Sequence, residues 1–401
     1  MTTYSLDNGL INFITMGNGA GTLDVSNGTF NNGLNFITMG NGSDFLNISD
    51  GGFNNTINVI AMGNGSDTLD ISNGGFNNSC NVVAMGSGGT LDITNGASHS
   101  SFAIVTTGNG DTINVTGGAT DSSFNITPVG NGPDTLNISN GGGTDTVAFN
   151  GSGTLYMNIS NSAGSNTVSM GSGPDTLNIT DNGSFNSGYN TITMGDGADA
   201  LNFLAGYEDT VKLGNGNDTV NILDGFNDSI ALGNGNDTVS VTSGGNHVLT
   251  LGNGSDTVGI SSTGFNTITM GSGNDTINVG SGANYDTFTL NETNANLVLN
   301  GTGNQVYVNG GNDHVTDTAG GGDQLYLAIG ASGGNVSISN FNVASGLVDL
   351  VPSLGFSSSS QVLAALGSDG SGGTQLSYSH GSIDFLGVSQ GQFTVGNFLI
   401  G

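Results

Sequence analysis

MGNGSDTLD, residues 62–70, is the stretch on which the reading of this chain turns. Two glycines, Gly63 and Gly65, flank Asn64, and Asp67 follows two residues later. Leu69 and Ile71 then alternate with polar residues, the period-two signature of a half-buried strand. Glycine reaches φ > 0 without steric cost, so the pair predicts a chain reversal within very few residues. Asn tolerates the left-handed region and suits its centre. Close copies recur at 39–47 (MGNGSDFLN), 129–137 (VGNGPDTLN), 170–178 (MGSGPDTLN), 194–202 (MGDGADALN), 213–221, 232–240, 251–259 and 270–278. The common pattern is apolar-Gly-x-Gly-x-Asp-x-apolar-x.

Spacing turns the motif into geometry. Asp199, Asp218, Asp237, Asp256 and Asp275 are each 19 residues apart. A fixed coil length places them in one column, separated by the strand spacing of roughly 4.8 Å. Bare, such a column repels itself; with a cation between neighbours it becomes a clamp. Tight-turn carbonyls lack partners within their own coil, so two stacked turns offer carbonyl and carboxylate oxygens together. Such hard donors suit Ca²⁺, which accepts six to eight oxygens in a loose arrangement. The candidate metal-site residues are Asp44, Asp67, Asp111, Asp134, Asp175, Asp199, Asp218, Asp237, Asp256 and Asp275, with Gly63, Gly65, Gly214, Gly216, Gly233, Gly235, Gly252 and Gly254 supplying the turns and their carbonyls. On the opposite turn, Asp209 (beside Glu208) and Asp228 suggest a second, shorter calcium column. The competing reading is a metal-free solenoid that uses Asp to cap its turns.

The nonapeptide resembles the glycine- and aspartate-rich repeat of RTX proteins, and the resemblance covers roughly 300 residues. It implies an all-β parallel β-roll, or β-solenoid, that binds calcium. Coils of 19 to 24 residues give roughly 15 coils over residues 1–334, followed by a small β-rich cap over 335–401. Each coil is expected to hold two strands and two turns.

Taken in order, Met16, Met39, Met62 and Met85 precede glycine turns 23 residues apart. Turns then open near Thr107, Val129, Asn150, Met170 and Met194, after which the period settles at 19. The opposite turn reads SNGGFNN at 72–78 and DGFNDS at 224–229. The longer N-terminal coils add the apolar positions Leu34 and Phe36, Ile57 and Val59, and Cys80 and Val82. They indicate either a wider, bulged core or a stripe that packs on another subunit. The motif also has gaps. Gly21 replaces the first Asp, MGSGGT (85–90) and GSGT (151–154) lack one, the Asp111 turn is a residue short, and Asp286, Asp313 and Asp323 lie in degenerate turns.

Beyond residue 335 the repeats stop and a first helix is expected over 361–366. The ending GSIDFLGVSQGQFTVGNFLIG, with Val348, Asp349, Leu350 and a glycine-rich loop at 367–373, resembles the C-terminal region of type I secretion substrates. Its matching residues are Phe385, Leu386, Gly387, Val388, Phe393, Phe398 and Leu399. That resemblance covers roughly the last 65 residues and implies the type I secretion machinery as a partner and a secreted, cell-surface location. An ordinary β cap on the solenoid is the plainer reading of the same tail, and both can hold.

Composition narrows the functional classes. The 401 residues include 73 Gly, one basic residue of the Lys/Arg type (Lys212) and a net charge of −30. Nothing can neutralise phosphates, so nucleic acid is not an expected partner, and an anionic membrane surface is disfavoured. So large a negative charge opposes compaction until counter-ions bind. One cysteine, Cys80, allows no intrachain disulfide. No stretch is long and apolar enough to cross a bilayer, and MTTYSLDNGLINF lacks the basic region and apolar core of a Sec signal. The histidines His99, His247, His314 and His380 share no spacing, and neither Gly-x-Ser-x-Gly nor His-Glu-x-x-His occurs. An enzyme is not expected.

Outward strand positions alternate Thr with Asx: Thr68 and Asp70, Thr135 and Asn137, Thr176 and Asn178, Thr219 and Asn221, Thr276 and Asn278. They predict an amide-stacked ladder along one face. The expected function is a secreted, calcium-stabilised structural protein that assembles with copies of itself, head to tail in the sense of one coil end docking on another, into a filament or surface layer. An adhesin, or an ice-binding protein using the flat Thr/Asx face, is the alternative.

Overall fold

The alternation in TLDIS and its relatives becomes stacked strands because each coil must bury a one-sided set of apolar residues against its neighbours. A computed structural model describes residues 3–7, 12–27, 35–50, 56–57, 59–73, 79–95, 101–106, 108–117, 123–128, 132–140, 145–149, 151–161, 165–181, 189–203, 206–261, 264–291, 294–318 and 326–401. The chain is an all-β parallel β-solenoid, as the repeats predict. It divides into two compact units, Met1–Gly214 and Asn215–Gly401.

In the first unit, one parallel sheet stacks Thr3–Asp7, Thr22–Asn27, Phe45–Asp50, Thr68–Asn73, Thr90–Asn95 and their successors in register. Each inward position then forms a column: Leu23, Leu46, Leu69, Leu91, Ile113 and Leu136 are all buried. The second sheet stacks strands such as Asn12–Thr15 and Asn35–Thr38. Met16, Met39, Met62 and Met85 close the core where strand meets turn. The second unit repeats this with shorter coils. Thr219–Ile222, Thr238–Val241, Thr257–Ile260 and Thr276–Val279 pair in parallel, and Val220, Val239, Val258 and Ile277 make the inner column.

The coil count differs from the roughly 15 expected, and the winding does not end where the sequence repeats end. Gly334–Ser339 and Leu347–Leu350 continue the two ladders, which then take in Gly381–Leu386 and Phe398–Ile400. Antiparallel Leu366–Ser368 and Thr374–Tyr378 are added beside Gly381–Leu386. The expected helix spans Ser359–Ala365, with the Ser358 side chain accepting the Gln361 N–H at its start. Of the tail residues singled out above, Phe385, Val388, Phe393 and Phe398 are buried, and Phe385 packs on Phe393 at 4.8 Å between ring centroids. Leu386 and Leu399 face outward.

Lys212 is exposed, as its strand position predicts. Phe36 is at the surface, and Phe13, one coil earlier, is 77% exposed and stacks on it at 5.0 Å and 4°. Leu34, the side chains of Ile57, Val59, Cys80 and Val82, and most of the 72–78 turn lie outside the described residues, as do His99 and Asp323.

Candidate metal centre

The predicted aspartates line the inside of the glycine turn. Asp44, Asp67, Asp111, Asp134 and Asp175 are between 1% and 4% exposed, as are Asp199, Asp218, Asp237, Asp256 and Asp275. Their first task is a hydrogen bond between coils. The Asp44 N–H donates to Asp67 Oδ1 at 2.9 Å, Asp111 to Asp134 at 3.0 Å and Asp175 to Asp199 at 2.9 Å. In the second unit, Asp218 donates to Asp237 at 2.9 Å, Asp237 to Asp256 at 2.9 Å and Asp256 to Asp275 at 3.0 Å. Each carboxylate therefore ties its coil to the preceding one through a charge-assisted bond. Where Gly21, Gly89 and Leu155 stand in place of an Asp, their N–H groups still donate to the carboxylate of the following coil, at Asp44, Asp111 and Asp175. Asp313 continues the column in the degenerate region by accepting the Ala295 N–H at 2.8 Å.

The glycines act for a different reason from the one the sequence suggests. Of the eight singled out, Gly65 has φ in the left-handed half of the map, at 154°. Gly63, Gly214, Gly235, Gly252 and Gly254 are required by close stacking. A Cβ on Gly235 would lie 1.5 Å from the Gly216 carbonyl oxygen, and one on Gly254 would lie 1.5 Å from that of Gly235. Gly63, Gly214 and Gly252 meet the carbonyls of Gly40, Gly195 and Gly233 at 2.0 to 2.2 Å. Gly233, Gly216 and their equivalents thus aim oxygens at the glycine of the next coil. Asn at the turn centre also has a second role: Asn234 N–H and Nδ2 both donate to Asn215 Oδ1 at 3.0 Å, and Asn253 repeats this on Asn234. The middle residue makes an amide ladder, which a preference for φ > 0 does not require.

The opposite turn carries a second buried column, longer than Asp209 and Asp228 alone. In the first unit, Asn166 donates through N–H and Nδ2 to Asn190 Oδ1, and the Asn190 N–H donates to Asp209 Oδ1 at 2.7 Å. In the second unit it comprises Asp228, His247, Asn266, Asp286 and Asn304, each at most 3% exposed. His247 Nδ1 lies 3.1 Å from Asp228 Oδ2, its N–H donates to Asn266 Oδ1, and Asn266 in turn donates to Asp286 Oδ1. Glu208, by contrast, is exposed. His247, Asn266 and Asn304 escape a search for aspartates, although counting on from Asp228 by coil lengths of 18 to 20 residues reaches each of them, and it places Asp286 in this column as well.

Do these residues fit calcium? One carboxylate oxygen is committed to the backbone brace. The other, Oδ2, is buried without a hydrogen-bond partner in Asp44, Asp67, Asp111, Asp175, Asp237, Asp256, Asp275 and Asp286. Such an orphan costs free energy unless something satisfies it. Glycine carbonyls lie near the braced oxygen: the Cβ position on Gly254 is 1.5 Å from Gly235 O and 3.1 Å from Asp256 Oδ1, which accepts the Asp237 N–H. Carbonyl and carboxylate oxygens from two coils thus meet at the turn, and hard donors of this kind fit calcium. Among the described residues no three His, Cys, Asp or Glu side chains gather as a ligand set, so backbone carbonyls would have to complete any site.

No protein family, curated protein or solved structure matches this chain. Burial pushes the carboxyls of Asp111, Asp175, Asp199, Asp256 and Asp286 up to about 6, against the downward pull of the N–H groups they accept. Asp67, Asp237 and Asp275 are raised for the same reason. These are groups that a bound cation would return to the charged form.

The two duties of the carboxylate can be separated at Asp237. Asp237→Asn keeps Oδ1 for the Asp218 N–H, as Asn266 does in the opposite column. It is expected to reach the parent's strand content in saturating calcium while needing roughly tenfold more of the ion at the midpoint. Asp237→Ala loses the brace as well and should melt earlier by about 1–3 kcal/mol of stability. Circular dichroism with calcium titration distinguishes the pair. Identical midpoints for Asn and parent would remove Asp237 from the ligand set.

Proposed function

We propose that this chain is a calcium-binding structural protein of RTX type, exported by a type I route, that folds outside the cell and assembles with copies of itself into a filament or surface layer. The observation that carries the calcium part is the stacked column of buried aspartates at the glycine turn, with one oxygen braced to the backbone and the other buried without a hydrogen-bond partner. The charge of −30 supports folding that waits for a cation.

One feature supports assembly: Phe13 and Phe36 form an exposed aromatic stack on the outer face of a sheet, and an exposed apolar patch of this kind suits a contact between subunits. Negative-stain microscopy tests this. Filaments or sheets should form at millimolar calcium, disperse on chelation, and be lost in Phe13→Asp. Monodisperse rods at high protein concentration would refute assembly.

A second reading draws on the outer face. Asn114, Asn137, Asn158, Asn178 and Asn202 each donate Nδ2 to the Asx one coil earlier at 2.7–2.8 Å, beginning at Asp92. In the second unit Thr219, Thr238, Thr257 and Thr276 align in register. This regular Thr/Asx array could order water as an ice-binding surface does, although the Asn amides already bond one another. Thermal hysteresis at the wild-type Thr column, abolished by Thr257→Tyr, would favour it.

A further inference from the structure

The unit 215–401 carries a feature that neither calcium binding nor assembly uses. Its opposite turn repeats a left-handed residue once per coil: Asn227, Asn246, Phe265 and Tyr285, with φ of 63°, 58°, 68° and 60°. Asn is an ordinary occupant of that region, whereas bulky aromatic residues are strained there. Strain persists where the surroundings impose it, and it concentrates at functional positions. Burial of the rings does not offset it here, because Phe265 is 64% and Tyr285 58% exposed. The rings stack on each other at 5.4 Å and 15°. Gly303, one coil on, makes room for them: a Cβ there would lie 2.5 Å from two Tyr285 ring atoms.

Concave surface lies on both sides of this stack. A cavity of about 420 Å³ is bordered by Phe226, Asn246, Phe265 and Asn284, and another of about 530 Å³ by Gln305, Tyr326, Thr394 and Asn397, with Tyr285 a wall of both. Tyr326 is fixed by donating its hydroxyl to Asp349 Oδ2 at 2.5 Å. Both cavities are of ligand-site size. Exposed ring faces beside amides and hydroxyls match a sugar, whose C–H faces pack on aromatic rings while its hydroxyls pair with the polar groups. The sole Lys/Arg residue, Lys212, lies outside this unit and the net charge is −30, so an acidic ligand would be repelled. Rings repeated along the coil axis favour a chain of sugars over a single one.

We propose that the Phe226–Phe265–Tyr285–Tyr326 side of this unit is a binding groove for a neutral oligosaccharide or polysaccharide chain. The full-length protein, folded in saturating calcium, is titrated calorimetrically with cellohexaose, maltohexaose and mannohexaose, and with hexagalacturonate as a charged control. At least one neutral hexasaccharide should bind, and hexagalacturonate should not. The double variant Phe265→Gly/Tyr285→Gly should weaken binding by roughly tenfold or more, the worth of two aromatic contacts. Its melting temperature should stay level or rise, since glycine relaxes the left-handed backbone, so the loss cannot be ascribed to unfolding. The proposal is overturned if no neutral hexasaccharide binds, if the double variant binds as well as the parent, or if the charged control binds equally. It is also overturned if the double substitution abolishes self-association and no sugar binds, which would make the groove a contact between copies.

Discussion

Chelation at neutral pH is expected to unfold this protein. The strand signal in circular dichroism should collapse cooperatively in EDTA and return with a midpoint of roughly 0.1–1 mM calcium, the range of extracellular calcium modules. The cause is the concentration of buried carboxylate along the glycine turn: Asp237, Asp256 and Asp275 follow one another on successive coils, each at most 2% exposed. A backbone N–H reaches one oxygen of each, and the partnerless Oδ2 atoms remain to be satisfied. Protons can substitute for the ion in part, and the sign of that substitution is a second readout. The carboxyls of Asp111, Asp175, Asp199, Asp256 and Asp286 are raised by burial from the ordinary 3.8 to about 6. The calcium-free fold thus holds protons that the unfolded chain has released. Their stabilising contribution is complete below pH 3.8 and is lost as the pH rises through about 6. Chelated protein should therefore retain more strand at about pH 5 than at neutrality. With calcium present the trend reverses, because proton and ion compete for the same oxygens, and the calcium midpoint should climb as the pH falls below about 6. A spectrum unchanged by exhaustive chelation at neutral pH would end the calcium proposal.

The second large effect is expected from one methyl group. Gly254→Ala places a Cβ 1.5 Å from the Gly235 carbonyl oxygen, and Gly273→Ala places one 1.4 Å from that of Gly254. Neither contact can be relieved by rotating a side chain, since both partners are backbone. Each substitution must push two coils apart, and the brace from Asp237 to Asp256 or from Asp256 to Asp275 crosses the same gap. Overpacking of this kind costs about 3 kcal/mol or more. That corresponds to a fall of roughly 6–12 °C in melting temperature for a unit of this size. Gly391→Ala is the control, because a Cβ there meets nothing within 4 Å and φ is outside the left-handed region. Thermal melts in saturating calcium read the difference. Equal melting of Gly254→Ala and Gly391→Ala would mean that the coils are not stacked as closely as described. Loss of calcium affinity in Gly254→Ala should accompany the loss of stability, since the displaced carbonyl is one of the proposed ligands.

Both expectations rest on a fold that was legible from spacing. A period of 19 to 24 residues fixes which residues share a column, because in-register parallel stacking repeats every position once per coil. Leu69, Asp67 and Met62 could therefore be assigned inside, and Thr68 and Asp70 at the outer face, without coordinates. Contacts made across coils were less legible. Gly235 reads as a flexible turn residue until the carbonyl of Gly216 is found where its side chain would be. Asn234 reads as a turn former until its amide is seen bonded to Asn215. His247 and Asn266 carry no motif and are recognisable only by the column they occupy.

A local pattern repeated at constant spacing is enough to define the coil, its period, its two parallel faces and the aspartate column. Tertiary structure decided what the columns do: which carboxylate oxygen is spent on the backbone, why glycine is obligatory, and where Phe265 and Tyr285 come together on a strained turn. The physical reason is that the interactions deciding these points run between coils. They are made by atoms some twenty residues apart in the chain but one strand spacing apart in space, and their distances and directions exist only once the coils have stacked.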